Sequence, residues 1–293
     1  MTKRFFYILV GFFKIEIMKF VKMHGAGNDY VYIDCIDQSV ECPEQLAVSM
    51  SDRHFGIGSD GLVLIMPSAV ADFRMRMFNA DGSEAQMCGN ASRCVGKYVY
   101  DNGLTDKTDI SLETKAGIKN LKLMVVDGKV VSVCVNMGEP ELRPSFVPVS
   151  LPGERVVSMP VEVAGRVYKM TCVSMGNPHA VIFVPYLDEV DVCTVGPEIE
   201  HHKIFPEHCN VEFAEVLSST EIRMRVWERG TGETWACGTG ACATLVAAVL
   251  NNLTDKKARL KLLGGNLDIE WRDDNHVYMT GEAVTVFKGE WLL

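Results

Sequence analysis

The chain has 293 residues, of which 47% are hydrophobic and 23% are charged, and its formal net charge is -9. This balance is typical of a soluble globular protein of about two domains, and it excludes disordered and fibrous classes. A negative charge without any lysine or arginine block argues against nucleic acid or an anionic membrane as the main partner. We therefore expect a small-molecule ligand.

The cysteines and the N-terminus indicate the compartment. The ten cysteines have neither a disulfide framework spacing nor a zinc-ligand spacing, and several lie in apolar runs, as reduced cytosolic thiols do. We expect a cytoplasmic protein without a metal. Residues 1–17 contain a basic pair and an apolar run like those of a signal peptide, but they lack a small-residue cleavage site and are too short to span a bilayer. We expect them to be an extension outside a fold that begins near Met18.

In chain order, the first half predicts strands, a short helix, more strands and a longer helix. Pro43 opens the short helix, which runs to about residue 51. After the loop 81–86, apolar residues at helical spacing predict a helix that begins close to Cys88 and ends near residues 102–103. Strand patterns lie at residues 19–23, 30–35, 62–66, 73–79, 109–114, 119–126 and 129–135.

The second half repeats this order after a linker rich in proline and glycine, residues 136–152. A short helix is predicted near residues 195–202, and a longer helix from Cys237 to about residues 251–252. Strand patterns lie at residues 167–174, 180–184, 211–216, 222–227, 258–263, 267–271, 276–280 and 283–288.

Two motifs coincide when the sequence is shifted by 149 residues, the separation of Cys88 and Cys237. The stretches before the two cysteines share Arg-Met-Arg, a glutamate and the Cys-Gly pair, and Gly27-Asn28 falls on Gly176-Asn177. Because one register serves both motifs, the chain contains a duplicated half. We predict an α+β fold of two pseudo-symmetric domains, each a mainly antiparallel curled sheet or barrel around a central helix, with the active site in the cleft between them.

The repeat places one cysteine at the start of a helix in each half. Unpaired N–H groups and the helix dipole favour the thiolate there, and the following Gly89-Asn90 and Gly238-Thr239 leave N–H groups for a carboxylate. Thiols on opposite faces of an α-carbon could remove its proton and return one to the other face, which inverts the centre. We nominate His179 and Glu228 as polar neighbours that tune the thiols.

Ordinary structural interpretations stand beside this one. The other eight cysteines are expected to be inert packing residues, and Asn28 and Asn177 can be turn residues beside glycine. Glu228-Arg229 can be a solvated charged pair. We expect Glu84 and Glu233 to hold their loops rather than to touch a substrate.

Several motifs follow one another in order along the chain: Lys22 to Asp29, Phe78 to Glu84, Cys88-Gly89-Asn90, Ser174 to His179, Glu228-Arg229-Gly230, Gly232-Glu233-Thr234 and Ala236 to Cys242. With these motifs the chain closely resembles, from Met18 to Leu293, the diaminopimelate epimerase family, whose enzymes work without pyridoxal phosphate. The resemblance implies a cofactor-independent exchange between LL- and meso-diaminopimelate in bacterial lysine and peptidoglycan precursor synthesis, with Cys88 and Cys237 as the acid/base pair.

The resemblance also implies roles for further residues. The reacting carboxylate would be held by the amides of Gly89, Asn90, Gly238 and Thr239. The distal amino acid end would be bound by Asn28, Asn79, Asn177, Asn210 and Arg229, with Glu228 among the binding residues. It further implies a homodimer with Phe287 at the contact, and a C-terminal strand that returns to the first domain, so that the domains are 18–135 with 282–293, and 136–281.

Two positions depart from the family pattern, and two other functions remain open. Ala91 stands where glycine is usual, which we expect to be tolerated. Gly61 stands where some members carry a substrate-contacting glutamine, so that contact is absent or made by backbone. One alternative is a proline-type or other amino acid racemase of the same architecture, although Arg229 and the asparagines favour the longer diamino substrate. A metabolite-binding or thiol redox protein is the other.

Overall fold

A computed structural model describes residues 8–10, 13–15 and 17–292 of the chain. The chain divides into two compact units, Met1–Val133 with Glu282–Leu293, and Cys134–Gly281. Within the described residues, each unit consists mainly of β-strands and contains two α-helices. The predicted α+β class is therefore confirmed. Most of the predicted extension, residues 1–17, lies outside the described residues.

The first unit contains helices α1 (Pro43–Ser51) and α2 (Gly89–Asp101). Its strands are β1 (Ile8–Val10), β2 (Phe13–Ile15), β3 (Ile17–Gly25), β4 (Asn28–Asp34), β5 (Gly61–Met66), β6 (Phe73–Asn79), β7 (Glu84–Ala85), β8 (Asp109–Thr114), β9 (Gly117–Val126) and the C-terminal β20 (Val284–Leu292). Strand β10 (Lys129–Gly138) begins in the first unit and ends in the second. β1 and β2 pair only with each other among the described strands.

In the first unit, β3 lies between β4 and the C-terminal strand β20 and runs antiparallel to both. β4 is parallel to β5, which is antiparallel to β6, and β6 has β7 as an antiparallel and β8 as a parallel neighbour. β8 closes a hairpin with β9. Helix α2 packs on β3, β4 and β9 and buries Ala91, Cys94, Val95 and Val99 there, so its first turn is held firmly against the sheet.

The second unit contains helices α3 (Val192–Glu200) and α4 (Gly238–Leu250) and a 3₁₀ turn at Leu187–Glu189. Its strands are β11 (Met159–Val163), β12 (Arg166–Ser174), β13 (Pro178–Phe183), β14 (Asn210–Ser218), β15 (Glu221–Glu228), β16 (Gly232–Thr234), β17 (Lys257–Leu262), β18 (Gly265–Trp271) and β19 (Val277–Gly281). α4 is apolar on every side and packs on β12, β13, β14, β17, β18 and β19.

The second unit repeats the pairing order of the first. β12 is antiparallel to β11 and β13, β13 is parallel to β14, β14 is antiparallel to β15, and β15 has β16 and β17 as antiparallel and parallel neighbours. The parallel register pairs Tyr30 with Gly61 in one unit and His179 with Asn210 in the other. Both pairs are related by the offset found in the sequence, which confirms the duplicated fold.

The structure corrects three local predictions in the second half. The short helix expected near residues 195–202 begins at Val192, because the Asp191 side chain caps it by accepting the Thr194 N–H at 3.2 Å. Strand β11 was not predicted, although Val161 and Val163 alternate with exposed residues as a half-buried strand requires. The expected linker 136–152 is also shorter, since β10 continues to Gly138.

Candidate active site

Cys88 occupies the N-cap position of α2 in an extended backbone conformation, as predicted. Its thiol Sγ lies 3.4 Å from the side-chain oxygen Oδ1 of Asn28, the first residue of β4. The Asn90 amide donates to the same oxygen at 3.4 Å, and the Asn28 amide nitrogen donates to the Asp60 carboxylate at 2.8 Å. Since Asp60 takes the nitrogen, the oxygen of Asn28 faces Cys88 and accepts from its S–H.

The Asp60 carboxylate that binds Asn28 belongs to a network of charged residues. Asp60 also accepts the Asp29 N–H at 3.1 Å, and Arg53 bonds to Asp29 at 3.0 Å and to Asp60 at 2.9 Å. Lys22, which is buried, forms an ion pair with Asp29. Burial and the neighbouring Asp29 raise the pKa of Asp60. For Asp29, burial acts upwards, but the hydrogen bonds from Lys22 and Arg53 leave its pKa lowered.

Cys237 occupies the same N-cap position of α4 and is only 5% exposed. Its Sγ accepts the Gly240 N–H at 3.4 Å and lies 3.4 Å from the Thr239 hydroxyl. The Asn177 amide nitrogen donates to that hydroxyl at 3.3 Å. The thiols of both halves are thus linked to the repeat-related asparagines, directly in the first half and through Thr239 in the second.

The surroundings of Cys237 oppose its ionisation. Burial raises the pKa of Cys237 well above its ordinary value, the Glu228 and Glu212 carboxylates raise it further, and hydrogen bonds from Thr239 and Gly240 lower it. Burial also raises the pKa of Glu228, against hydrogen bonds from Thr234 and Cys237. The prediction that a helix start favours the thiolate is therefore wrong for Cys237 in this state, because burial and two carboxylates outweigh the helix.

His179 is linked to Cys237 through Asn177 and Thr239, and it has a buried partner that sequence reasoning missed. Its Nδ1 is 2.6 Å from Glu212 Oε1, and neither side chain is exposed to solvent. Its Nε2 is 2.9 Å from the Asn177 side-chain oxygen. The available signal was a glutamate within the apolar strand sequence Val211-Glu212-Phe213-Ala214, since a carboxylate in a buried strand needs a partner.

The residues expected to bind the distal end of a substrate form separate local hydrogen bonds. The Arg229 backbone N–H donates to Asn210 Oδ1 at 3.0 Å, and the Asn210 amide donates to the Pro178 carbonyl at 2.9 Å. The exposed Asn79, opposite Gly61 in the β5–β6 register, donates to the Ser83 hydroxyl at 3.0 Å instead. Phe287 lies on β20, with its ring edge-on to Phe20.

Two glutamates that precede the cysteines bind arginines of their own strand pairs. Glu84 accepts from Arg76 at 2.8 Å, and Glu233 accepts from Arg225 at 2.7 Å. These bonds join the short strands β7 and β16 to β6 and β15. Both glutamates therefore hold the loop that leads to the cysteine.

The other cysteines differ in burial. Burial raises the pKa of Cys94 to about 11 and of Cys172 to about 12, which keeps both protonated at neutral pH. Cys42 and Cys193 are exposed, so the interpretation as buried packing residues is wrong for these two.

One group of side chains in the described part of the chain has the composition of a metal site. Ligand atoms of Glu200, His201 and His208 lie within 4.8 Å of one another. Both oxygens of Glu200, however, already accept hydrogen bonds, one from Trp227 at 2.7 Å and one from the Gly230 N–H at 2.9 Å. Glu200 thereby anchors the turn after β15, and we assign no catalytic metal to the group.

Comparison with known proteins identifies the family. The sequence pattern of the diaminopimelate epimerase family matches residues 20–143 and 171–286. The chain belongs to this family. A diaminopimelate epimerase of Acetivibrio thermocellus is 61% identical over 93% of this chain and 98% of its own length. The epimerase of Desulfovibrio desulfuricans is 58% identical over 94% of this chain and 99% of its own.

Solved structures similar to this epimerase-family chain share its fold at low identity. A PhzF-family phenazine biosynthesis protein of Bacillus anthracis has a TM-score of 0.70 at 17% identity and covers 95% of this chain and 100% of its own. A hydroxyproline epimerase of Agrobacterium vitis has a TM-score of 0.67 at 14% identity and covers 94% and 91%. These likenesses support the two-unit α+β architecture and, at such identities, the fold alone.

Length and hydropathy of the helices also bear on a membrane role. Within the described residues, no helix combines the length and the apolar character that crossing a bilayer requires.

Proposed function

We propose that the protein interconverts LL- and meso-diaminopimelate without a cofactor, with Cys88 and Cys237 as its acid/base pair. The observation that carries the proposal is the repeat: two helices of equal length, each with a thiol at its N-cap, stand in equivalent places of two duplicated units. Family membership at 61% identity supports the same substrate.

The helix starts supply the groups that bind the reacting carboxylate. The first N–H groups of a helix have no partner inside the helix, and the dipole adds partial positive charge there. Gly89 and Asn90 open α2, and Gly238 and Thr239 open α4. A carboxylate bound to these N–H groups is stabilised most when negative charge spreads onto it from the α-carbon, which lowers the barrier to the carbanion.

The two thiols then divide the proton transfer. One thiolate removes the α-proton and becomes a thiol, while the other thiol donates its proton to the opposite face and becomes a thiolate. The centre is inverted, and the reverse reaction exchanges the two roles. Each thiol needs a pKa near the working pH. The effect of the groups that raise the pKa of Cys237 must therefore be offset by hydrogen bonds to its sulfur or by the ammonium group of a bound substrate.

The distal half of the substrate is the part that distinguishes diaminopimelate from smaller amino acids. Arg229, with Asn28, Asn79, Asn177, Asn210 and Glu228, offers charged and amide groups to a second zwitterionic end. A proline-type racemase needs no such set, and this supports the longer substrate over that alternative.

Four further proposals accompany the activity. The chain has two domains, 18–135 with 282–293 and 136–281, a proposal supported by the two compact units Met1–Val133 with Glu282–Leu293 and Cys134–Gly281. The ten cysteines, none of which forms a disulfide, support a reducing, cytoplasmic location. The chain forms a homodimer through β20, where Val286 and Phe287 are 54% and 45% exposed. The ligand is a small molecule, and neither a nucleic acid nor a membrane is a partner.

The activity is tested by incubating purified, reduced protein with LL-diaminopimelate without cofactor and separating the isomers. We expect meso-diaminopimelate to form, and we expect Cys88→Ala and Cys237→Ala each to abolish its formation while retaining the wild-type melting temperature. Racemisation of proline but not of diaminopimelate would select the rival function. Absence of any meso product would reject the proposal.

The dimer is tested by light scattering on Phe287→Asp. We expect a monomer, because a charge at the contact leaves a buried, unpaired carboxylate. Val126→Asp, at a 51% exposed position of β9 in the same unit, is the matched control and should leave the mass unchanged. A dimeric Phe287→Asp protein would refute the assignment of this contact.

A further inference from the structure

Two repeat-related asparagines hold their amides in opposite directions. Asn28 turns its oxygen towards Cys88, because its nitrogen donates to Asp60. Asn177 turns its oxygen towards His179 and its nitrogen towards Thr239, next to Cys237. Equivalent positions therefore present an acceptor to one thiol and a chain of donors to the other.

The orientation of Asn177 depends on where the protons of the Glu212–His179 pair lie. An amide oxygen accepts but cannot donate, so His179 must carry a proton on Nε2. The 2.6 Å contact between Nδ1 and Glu212 Oε1 requires a second proton, on either atom. With two protons shared, the pair is either His⁺ with Glu⁻ or both neutral, and its net charge is zero in each case.

From this pair the donors run in one direction to the sulfur. His179 donates to Asn177, Asn177 donates to Thr239, and Thr239, whose oxygen is occupied as an acceptor, can direct its own proton to Cys237 Sγ 3.4 Å away. Donation to a sulfur stabilises the thiolate. The chain thus opposes the burial and the Glu228 charge that act on Cys237. The Glu212 charge, which by itself raises the pKa of Cys237, is balanced by the second proton of the pair.

The space for Glu212 is specific to the second unit. A Cβ at Gly240 would lie 2.6 Å from Glu212 Oε1 and 3.3 Å from Cys237 Sγ, so the helix accepts this carboxylate only because residue 240 is glycine. At the equivalent positions the first unit has Val63 and Ala91, both fully buried. The buried Glu212–His179 pair is therefore present in the second unit and has no equivalent in the first.

We propose that Glu212 is a positioning residue that, through His179, fixes the amide of Asn177 as a donor and so tunes Cys237 separately from Cys88. The proposal deepens the proposed function and rests on it, since Cys237 is one of the two acid/base groups named there. The titratable groups that face Cys237 are Glu228 from β15, Glu212 from β14 and His179 from β13.

The test measures the pKa of Cys237 directly, without enzyme turnover. The pH dependence of iodoacetamide alkylation is followed by mass spectrometry of the peptide that contains Cys237. Glu212→Gln removes no net charge from a neutral pair and can still donate to His179, so we expect the pKa of Cys237 to change by less than about 0.3 units. Glu212→Leu frees Asn177 to turn, and we expect the pKa to rise by about one unit.

The alternative protonation of the Glu212–His179 pair predicts a shift of the Cys237 pKa in the opposite direction. If Glu212 is an ionised partner of a neutral His179 that carries its proton on Nδ1, both variants remove a negative charge, and the pKa of Cys237 falls by about one unit. A fall in either variant, or no change in Glu212→Leu, overturns the proposal. Glu215→Gln, on the same strand and paired with Arg223, is the matched control and should leave this pKa unchanged.

A second measurement does not depend on the folding of any variant. Long-range ¹H–¹⁵N correlation of wild-type protein labelled in histidine reports which ring nitrogens carry protons. We expect His179 Nε2 to be protonated, and an unprotonated Nε2 would overturn the proposal. Both measurements give a result even if the protein lacks epimerase activity, so failure of the proposed function is distinguishable from failure of this inference.

Discussion

At the scale of single residues, the two cysteines differ in their neighbours although they share a position in the repeat. Cys88 faces an amide oxygen and is partly exposed, whereas Cys237 is buried beside two carboxylates. Since like charge nearby disfavours a thiolate, burial and the Glu228 carboxylate favour the thiol form of Cys237. Of the two carboxylates, Glu228 has the larger effect on its pKa.

Glu228→Gln should therefore lower the pKa of Cys237. The Glu228 carboxylate raises the pKa of Cys237, so replacing it with a neutral amide should lower that pKa by about one unit. Alkylation of Cys237 as a function of pH, followed on its own peptide, measures this pKa. Glu215→Gln is the control, because it removes a carboxylate that pairs with Arg223 instead of one that acts on the sulfur. An unchanged or higher pKa in Glu228→Gln would contradict the account.

At the scale of elements, the strand ends position the site, and their close approach restricts the residues that fit there. Gly61 opens β5 beside the C-terminal end of β6, where a Cβ would overlap the Phe78 carbonyl and approach the Tyr30 ring to 2.9 Å. The backbone here leaves no room for a side chain at position 61. In the second unit the equivalent position holds Asn210, whose side chain bonds to Pro178 and Arg229.

Gly61→Ala should destabilise the protein by about 3 kcal/mol, because the added methyl group collides with backbone rather than with a flexible side chain. Urea unfolding measures the loss. Gly117→Ala is the control: its φ of +88° strains an alanine but nothing lies within 4 Å of the new Cβ, so it should cost only about 1 kcal/mol. Equal losses in the two variants would show that backbone strain, not the collision, decides.

The elements also show what the sequence could predict. Both long helices began where the hydrophobic period and the Cys-Gly pairs placed them, because a buried helix in a duplicated unit has a strong repeating pattern. β11 was missed since Met159–Val163 is short and contains Pro160. The partnership of Glu212 with His179 could not be found either, because it joins residues on two strands whose parallel register is fixed only by the folded sheet.

At the scale of the whole molecule, duplication supplies two similar units, each with a cysteine at a helix start, and substitution makes the surroundings of the two cysteines unlike. The same offset relates the helices, the parallel strand pairs and the loop-holding Arg76–Glu84 and Arg225–Glu233 bridges. Around the cysteines the two units differ: the first unit has Val63 and Tyr30 where the second has Glu212 and His179. An epimerase that acts on one end of a two-ended substrate requires such a difference between its halves.

The central claim is that two thiols act on one α-carbon, and the most direct test is the fate of deuterium in D₂O. Reduced protein is incubated with LL-diaminopimelate, and both isomers are analysed before a tenth of the substrate has reacted. We predict deuterium at the α-carbon of the meso product and almost none in the recovered LL-substrate, because the thiol that abstracts the proton returns it while the other delivers solvent deuterium. Equal deuterium in substrate and product, or product without deuterium, would contradict the two-thiol account.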